Sequence, residues 1–74
     1  MSTLTHISGK EAVKAFHKAG WHQAGQVGCH LVMIKPGPRV NLSIPQHKQL
    51  STETLAALLR SAELPEEDFL KLLK

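Results

Sequence analysis

The stretch CHLVMIK, residues 29–35, is apolar from Leu31 to Ile34 and is closed off by Gly28 on one side and Pro36-Gly37-Pro38 on the other. A short apolar run between such breakers reads as a strand, because it is too short for a typical helix. That assignment constrains both neighbours. Beyond the Pro-Gly-Pro turn, Arg39-Val40-Asn41-Leu42-Ser43-Ile44 alternates polar and apolar with period two. The alternation predicts a strand with Val40, Leu42 and Ile44 buried and Arg39, Asn41 and Ser43 wet. Pro38 and Pro45 bracket it, as suits an edge strand. On the other side Trp21–Gln26 can extend, although its alternation is weak and Gly25 and Gly28 interrupt it. Three strands joined by short turns predict an antiparallel meander.

The flanks carry the helical period instead. Ser8-Gly9-Lys10-Glu11 is a capping-box pattern, a serine N-cap with a glutamate three residues on. Ala12, Ala15, Phe16 and Ala19 then follow one helical face, with Val13 beside them, and Gly20 supplies a left-handed end. Ser51 caps a second helix whose stripe is Leu55, Leu58, Leu59 and Ala62. Pro65 suits the first turn of a third. Glu66, Glu67 and Asp68 complement that helix's N-terminal dipole, and Phe69, Leu70, Leu72 and Leu73 form its apolar side. The order α-β-β-β-α-α predicts an α+β fold, a three-stranded antiparallel sheet with the helices on one face.

With 74 residues, one domain over 1–74 is expected, and a chain this short buries only about 60% of its unfolded surface. No apolar run approaches the roughly 20 residues that cross a bilayer. The start, MSTLTHISGK, lacks the basic and apolar regions of a secretory signal, so a soluble cytoplasmic protein without membrane contact is expected. A single cysteine, Cys29, excludes an intramolecular disulfide and a CxxC metal knuckle. His6, His17, His22, His30 and His47 are scattered without metal-ligand spacing, so neither a metal nor a small-molecule cofactor is expected. The net charge is +3, and Glu63, Glu66, Glu67 and Asp68 concentrate the acids near the end of the chain. The remainder is therefore more basic than the total, which tilts the expectation towards a nucleic-acid partner.

The residues with chemical potential gather around Gly28-Cys29-His30. Glycine there permits a positive φ or the close approach of a ligand. An imidazole both takes and gives a proton at cellular pH, as hydrolysis of a ribose phosphodiester requires: a base for the 2′-hydroxyl and an acid for the departing 5′-oxygen. His30 also reads as a strand residue bonded to neighbouring backbone. Thiol catalysis by Cys29 with His30 as base is opposed by geometry, because adjacent strand residues point to opposite faces. His47, beside Lys48 in a polar loop ahead of a helix N-terminus, suits a phosphate contact or a second proton carrier and equally a solvated loop position. Lys35 and Arg39 flank the Pro-Gly-Pro hairpin, where they can grip an RNA backbone or merely serve solubility. Lys10, Lys14 and Lys18 recur along helix one as a row that reads as a solvated face, with RNA contact as the alternative. Trp21 reads as a core residue, since three aromatics in all are too few for a stacking platform.

The run Ser8-Gly-Lys-Glu, then Ala19-Gly20-Trp21, Gly28-Cys29-His30, Ile44-Pro45-Gln46-His47-Lys48, Thr54-Leu55 and Leu58-Leu59-Arg60 resembles the HicA family of toxin–antitoxin systems, in order and spacing, over roughly residues 7 to 73. The resemblance implies a double-stranded-RNA-binding-like fold and an endoribonuclease that cleaves mRNA and is held inactive by a HicB-type antitoxin. It also implies that His30 is the catalytic residue, because Gly28-Cys29-His30 occupies the place of the family's Gly-Ser-His motif. The family's Pro-x-His-Lys segment matches Pro45-Gln46-His47-Lys48. This chain departs from the pattern at Cys29 for serine, at Leu31 for a second histidine and at Glu63 for a glycine between the last two helices. Cysteine is a poorer hydrogen-bond donor than serine, so a slower enzyme, a catalytically inactive RNA-binding module or a purely antitoxin-binding protein are the rival readings. The expected RNA-contacting residues are Gly28, Cys29, Lys35, Arg39, His47 and Lys48, with His30 at the centre.

Overall fold

In the computed structural model, which describes residues 4, 6–37 and 40–73, the capping box at Ser8 is formed. Ser8 Oγ accepts from the Glu11 N–H at 3.1 Å, and Glu11 Oε1 accepts from the Ser8 N–H at 3.0 Å. It starts helix α1, Gly9–Lys18, which ends at Ala19 with Gly20 following at φ +103°. Strands β1 (His22–Val27), β2 (His30–Ile34) and β3 (Leu42–Pro45) follow, then helices α2 (Thr52–Ala62) and α3 (Glu66–Leu72). The order is the α-β-β-β-α-α read from the sequence, and the sheet is the antiparallel meander β1-β2-β3. No helix among the described residues is long and apolar enough to cross a membrane.

The register sorts the side chains onto two faces. Leu31 pairs with Ile44 and Met33 with Leu42, and these residues pack into the core. His30 pairs with Pro45 and Val32 with Ser43, so His30, Val32 and Ile34 lie on the opposite face, away from the core. Beneath the sheet, Phe16 of α1 meets Phe69 of α3 at a ring separation of 5.3 Å, while Trp21 and Leu55 are fully buried in the same core. Trp21 is a core residue, as expected. Leu4, Ile7 and Leu50 join this core although no helical or strand pattern marks them.

The strand limits differ from those expected, each for a local reason. The first strand starts at His22, after the buried Trp21, and runs to Val27. Its weak alternation reflects exposure of every residue, with Ala24 as the extra residue of a bulge between Gln23 and Gly25. Cys29 is outside β2: it forms a two-residue turn with Gly28 between the paired residues Val27 and His30. Gly28 at φ +60° supplies the positive φ that such a hairpin turn needs at its first central position. The third strand starts at Leu42 and includes Pro45, whereas Val40 is 41% exposed and not part of the core. Pro38 and Arg39 lie outside the described residues. Pro65 is the cap of α3 rather than part of its first turn, and Glu63 ends α2 in the left-handed region at φ 53°.

Candidate functional site

Two sets of backbone stitches fix the geometry around His30. At the tip of the β1–β2 hairpin, the Cys29 carbonyl accepts from the Gln46 N–H at 2.6 Å, continuing the β2–β3 ladder past its last pair. From the helical side, the Gly9 N–H donates to the His47 carbonyl at 2.9 Å and the Leu50 N–H to the Ile7 carbonyl at 2.8 Å. The segment Gln46–Lys48 is thus pinned between the hairpin tip and the start of α1. Gly9 is buried, and a Cβ there would run into the Pro45 carbonyl and the Gln46 Cα. Its value is the close approach of two backbones, not a turn.

The result is an arch of exposed groups. Gly28, Cys29 and His30 form one side and His47 and Lys48 the other, all solvent-facing, with half-buried Pro45 and Gln46 between. A Cβ added at Gly28 would meet no atom within 4 Å, so the backbone there stands open to a ligand. Gln26 Nε2 donates to the Gly28 carbonyl at 3.1 Å and steadies the turn. On the α1 side, Ser8, Lys10, Gln46, His47 and Lys48 line a shallow cleft of about 290 Å³. His47 and Lys48 therefore lie against the start of α1 rather than against α2, whose own start is capped by Ser51 accepting from the Thr54 N–H at 3.1 Å. Lys10 and Gln46 belong to this cleft, and no sequence signal marks either as a partner of His47. Only the fold brings residues 8–10 and 46–48 together.

Lys35, expected at the site, is elsewhere. It follows the far end of β2, where its Cε would lie 3.4 Å from a Cβ placed on Gly20, at the end of α1. Arg39 lies outside the described residues. The turn position of Cys29 changes the argument about the thiol as well: strand alternation no longer governs where Sγ points relative to His30. No group of three or more His, Cys, Asp or Glu that could hold a metal occurs among the described residues.

A second cleft, of about 550 Å³, is at the opposite end of the hairpin. There β1 projects Gln23 on the helix-facing side, where no helix covers it, and α1 supplies the other wall.

Compared with known families, residues 9–64 match the model described as the HicA toxin of bacterial toxin–antitoxin systems. No curated protein matches the chain.

Proposed function

The chain belongs to the HicA toxin family of bacterial toxin–antitoxin systems, and on that premise we propose that it is an endoribonuclease that cuts single-stranded message without a metal, with His30 as proton carrier. The observation that carries this reading is the position of His30. It is exposed at the hairpin tip, opposite Pro45, next to an open glycine and an arch bearing His47 and Lys48. One imidazole removes the proton from a ribose 2′-hydroxyl, the 2′-oxygen attacks phosphorus, and the P–O5′ bond breaks as an acid protonates the departing oxygen. His30 performs one of these transfers. His47, the second imidazole on the arch, suits the other, and Lys48 balances the charge that builds on the phosphoryl oxygens. Gly28 leaves room for the scissile phosphate. The Cys29 thiol replaces a stronger hydroxyl donor in the same turn, which slows the reaction if that group orients the phosphate.

Family membership implies a HicB-type antitoxin as partner. The open face of the sheet suits it. Val27 and Ile34 on that face are 72% and 44% exposed, and Val27 is the cross-strand partner of His30. A protein seated on this apolar surface covers His30 and shuts out substrate.

Cleavage of a defined single-stranded RNA in EDTA, by the wild type and by His30→Ala, tests the proposal. Cutting by the first and silence from the second is the expected result. Equal cutting by both overturns the role of His30. The departure at Cys29 sustains a second reading, an RNA-binding module that does not cut. Tight, salt-sensitive RNA binding without cleavage by either the wild type or Cys29→Ser selects it.

A further inference from the structure

The cleft between α1 and β1 combines an apolar floor with basic and imidazole side chains. Val13 and the fully buried Met33 form its floor, and Lys14, His17, His22 and Gln23 its walls, with no carboxylate among the lining residues. The two histidines meet edge-on, with ring centroids 5.8 Å apart and planes at 82°. His17 Nδ1 lies 3.2 Å from the Trp21 carbonyl oxygen, which can only accept, so Nδ1 carries the proton and Nε2 is the nitrogen left for a ligand. The wall on the β1 side exists because β1 carries glutamine where β2 and β3 carry core residues: Gln23 pairs with Met33, and Gln26 with Leu31. Both glutamines are exposed.

We propose that this cleft is an RNA subsite that holds one nucleotide of the strand at a distance from the scissile bond, its phosphate on Lys14 and its base against Val13 and the rings of the His17–His22 pair. The inference rests on the endoribonuclease reading for its purpose. A volume of about 550 Å³ falls in the range of small-ligand sites, and an apolar floor beside lysine and imidazole side chains suits a nucleotide. His22 and Val27 are the two ends of β1, about 15 Å apart at the rise of a strand, and Val27 is the partner of His30. The cleft opens on the helix side of β1 and His30 lies on the outer face, so an RNA strand that crosses the edge strand β1 reaches both the cleft and the tip. Lys35, beside Gly20 at the same end, adds positive charge along that path.

Binding of a fluorescent nonanucleotide to the His30→Ala protein, with and without Lys14→Gln and His22→Gln, tests the subsite. Both residues are exposed, so thermal melting is expected to be unchanged, and Lys14→Gln alone serves if the double variant unfolds. The expected result is an affinity about tenfold weaker. The slope of log affinity against log salt should also fall by about 0.7 for each phosphate that is no longer neutralised. On the catalytically intact background, the same pair of substitutions leaves cleavage of a dinucleotide unchanged, because a dinucleotide spans only the tip. Unchanged nonanucleotide affinity and salt slope overturn the subsite while the nuclease reading stands. Loss of antitoxin binding with RNA affinity intact overturns it too, and assigns the cleft to the protein partner. If the wild type cuts no RNA at all, the nuclease reading falls, and the same binding comparison still decides whether the cleft holds a nucleotide.

Discussion

On the core side of β2, Leu31 and Met33 pair with Ile44 and Leu42 and pack against the helical layer; on the other side, His30 and Ile34 are exposed and Val32 is half-buried, with no helix or strand among the described residues over them. The two sets alternate along one strand of five residues. Stability and the proposed chemistry are therefore separable within a single element. Burial makes Met33 costly to change, whereas exposure makes His30 nearly free to change without loss of fold.

Substitutions on the two faces put that separation at risk. His30→Ala should lower RNA cleavage by at least about 100-fold, the usual contribution of a positioned acid or base. Its unfolding free energy should stay within about 0.5 kcal/mol of the wild type in urea. A large loss of stability would show that the outer face is structural after all. Met33→Ala is the opposite case: about 2–5 kcal/mol is lost in urea unfolding, through a cavity beneath the sheet. Any loss of dinucleotide cleavage in that variant should track the fraction unfolded. Gly9→Ala tests the stitch between α1 and the arch. Its Cβ collides with Pro45 and Gln46, so about 1–3 kcal/mol of destabilisation is expected, together with shifted amide resonances at Gln46–Lys48. Unmoved resonances would mean that the arch is not held by α1. The smallest effect is at Glu63, which holds a left-handed conformation without being glycine. Glu63→Gly should raise stability by about 1 kcal/mol in the same unfolding assay, with cleavage unaltered.

The elements are legible in the sequence where one face is buried. Ser8 and Glu11 announce α1, the leucine stripe from Leu55 to Leu59 announces α2, and the apolar run Leu31–Ile34 announces the central strand. β1 is faint because neither of its faces is covered, so burial imposes no alternation on its sequence. Val40 reads as a core residue because alternation marks a side chain as able to face a core and does not state how far the core extends; here the strand begins at Leu42. Leu4, Ile7 and Leu50 escape a pattern-based reading since each enters the core from a segment without a repeat, through backbone bonds such as Leu50 N–H to the Ile7 carbonyl. Of the site, Gly28, Cys29 and His30 are visible as a motif and His47 and Lys48 as a second. That Lys35 stands apart from His30 follows once residues 29–35 are read as a strand, which puts Lys35 at its far end.

The order of elements, the family and the residues able to carry a proton follow from the chain alone, since periodicity, capping chemistry and short motifs are local. Tertiary contacts were needed to turn His30 away from the core, to put Cys29 in the turn, to bring His47 to the start of α1 and to open a basic cleft at the other end of the hairpin. Each of these depends on register and on backbone contacts between distant segments. A run such as Leu31–Ile34, apolar at both parities, fits a core with either face, and only pairing with the alternating Leu42 and Ile44 selects one.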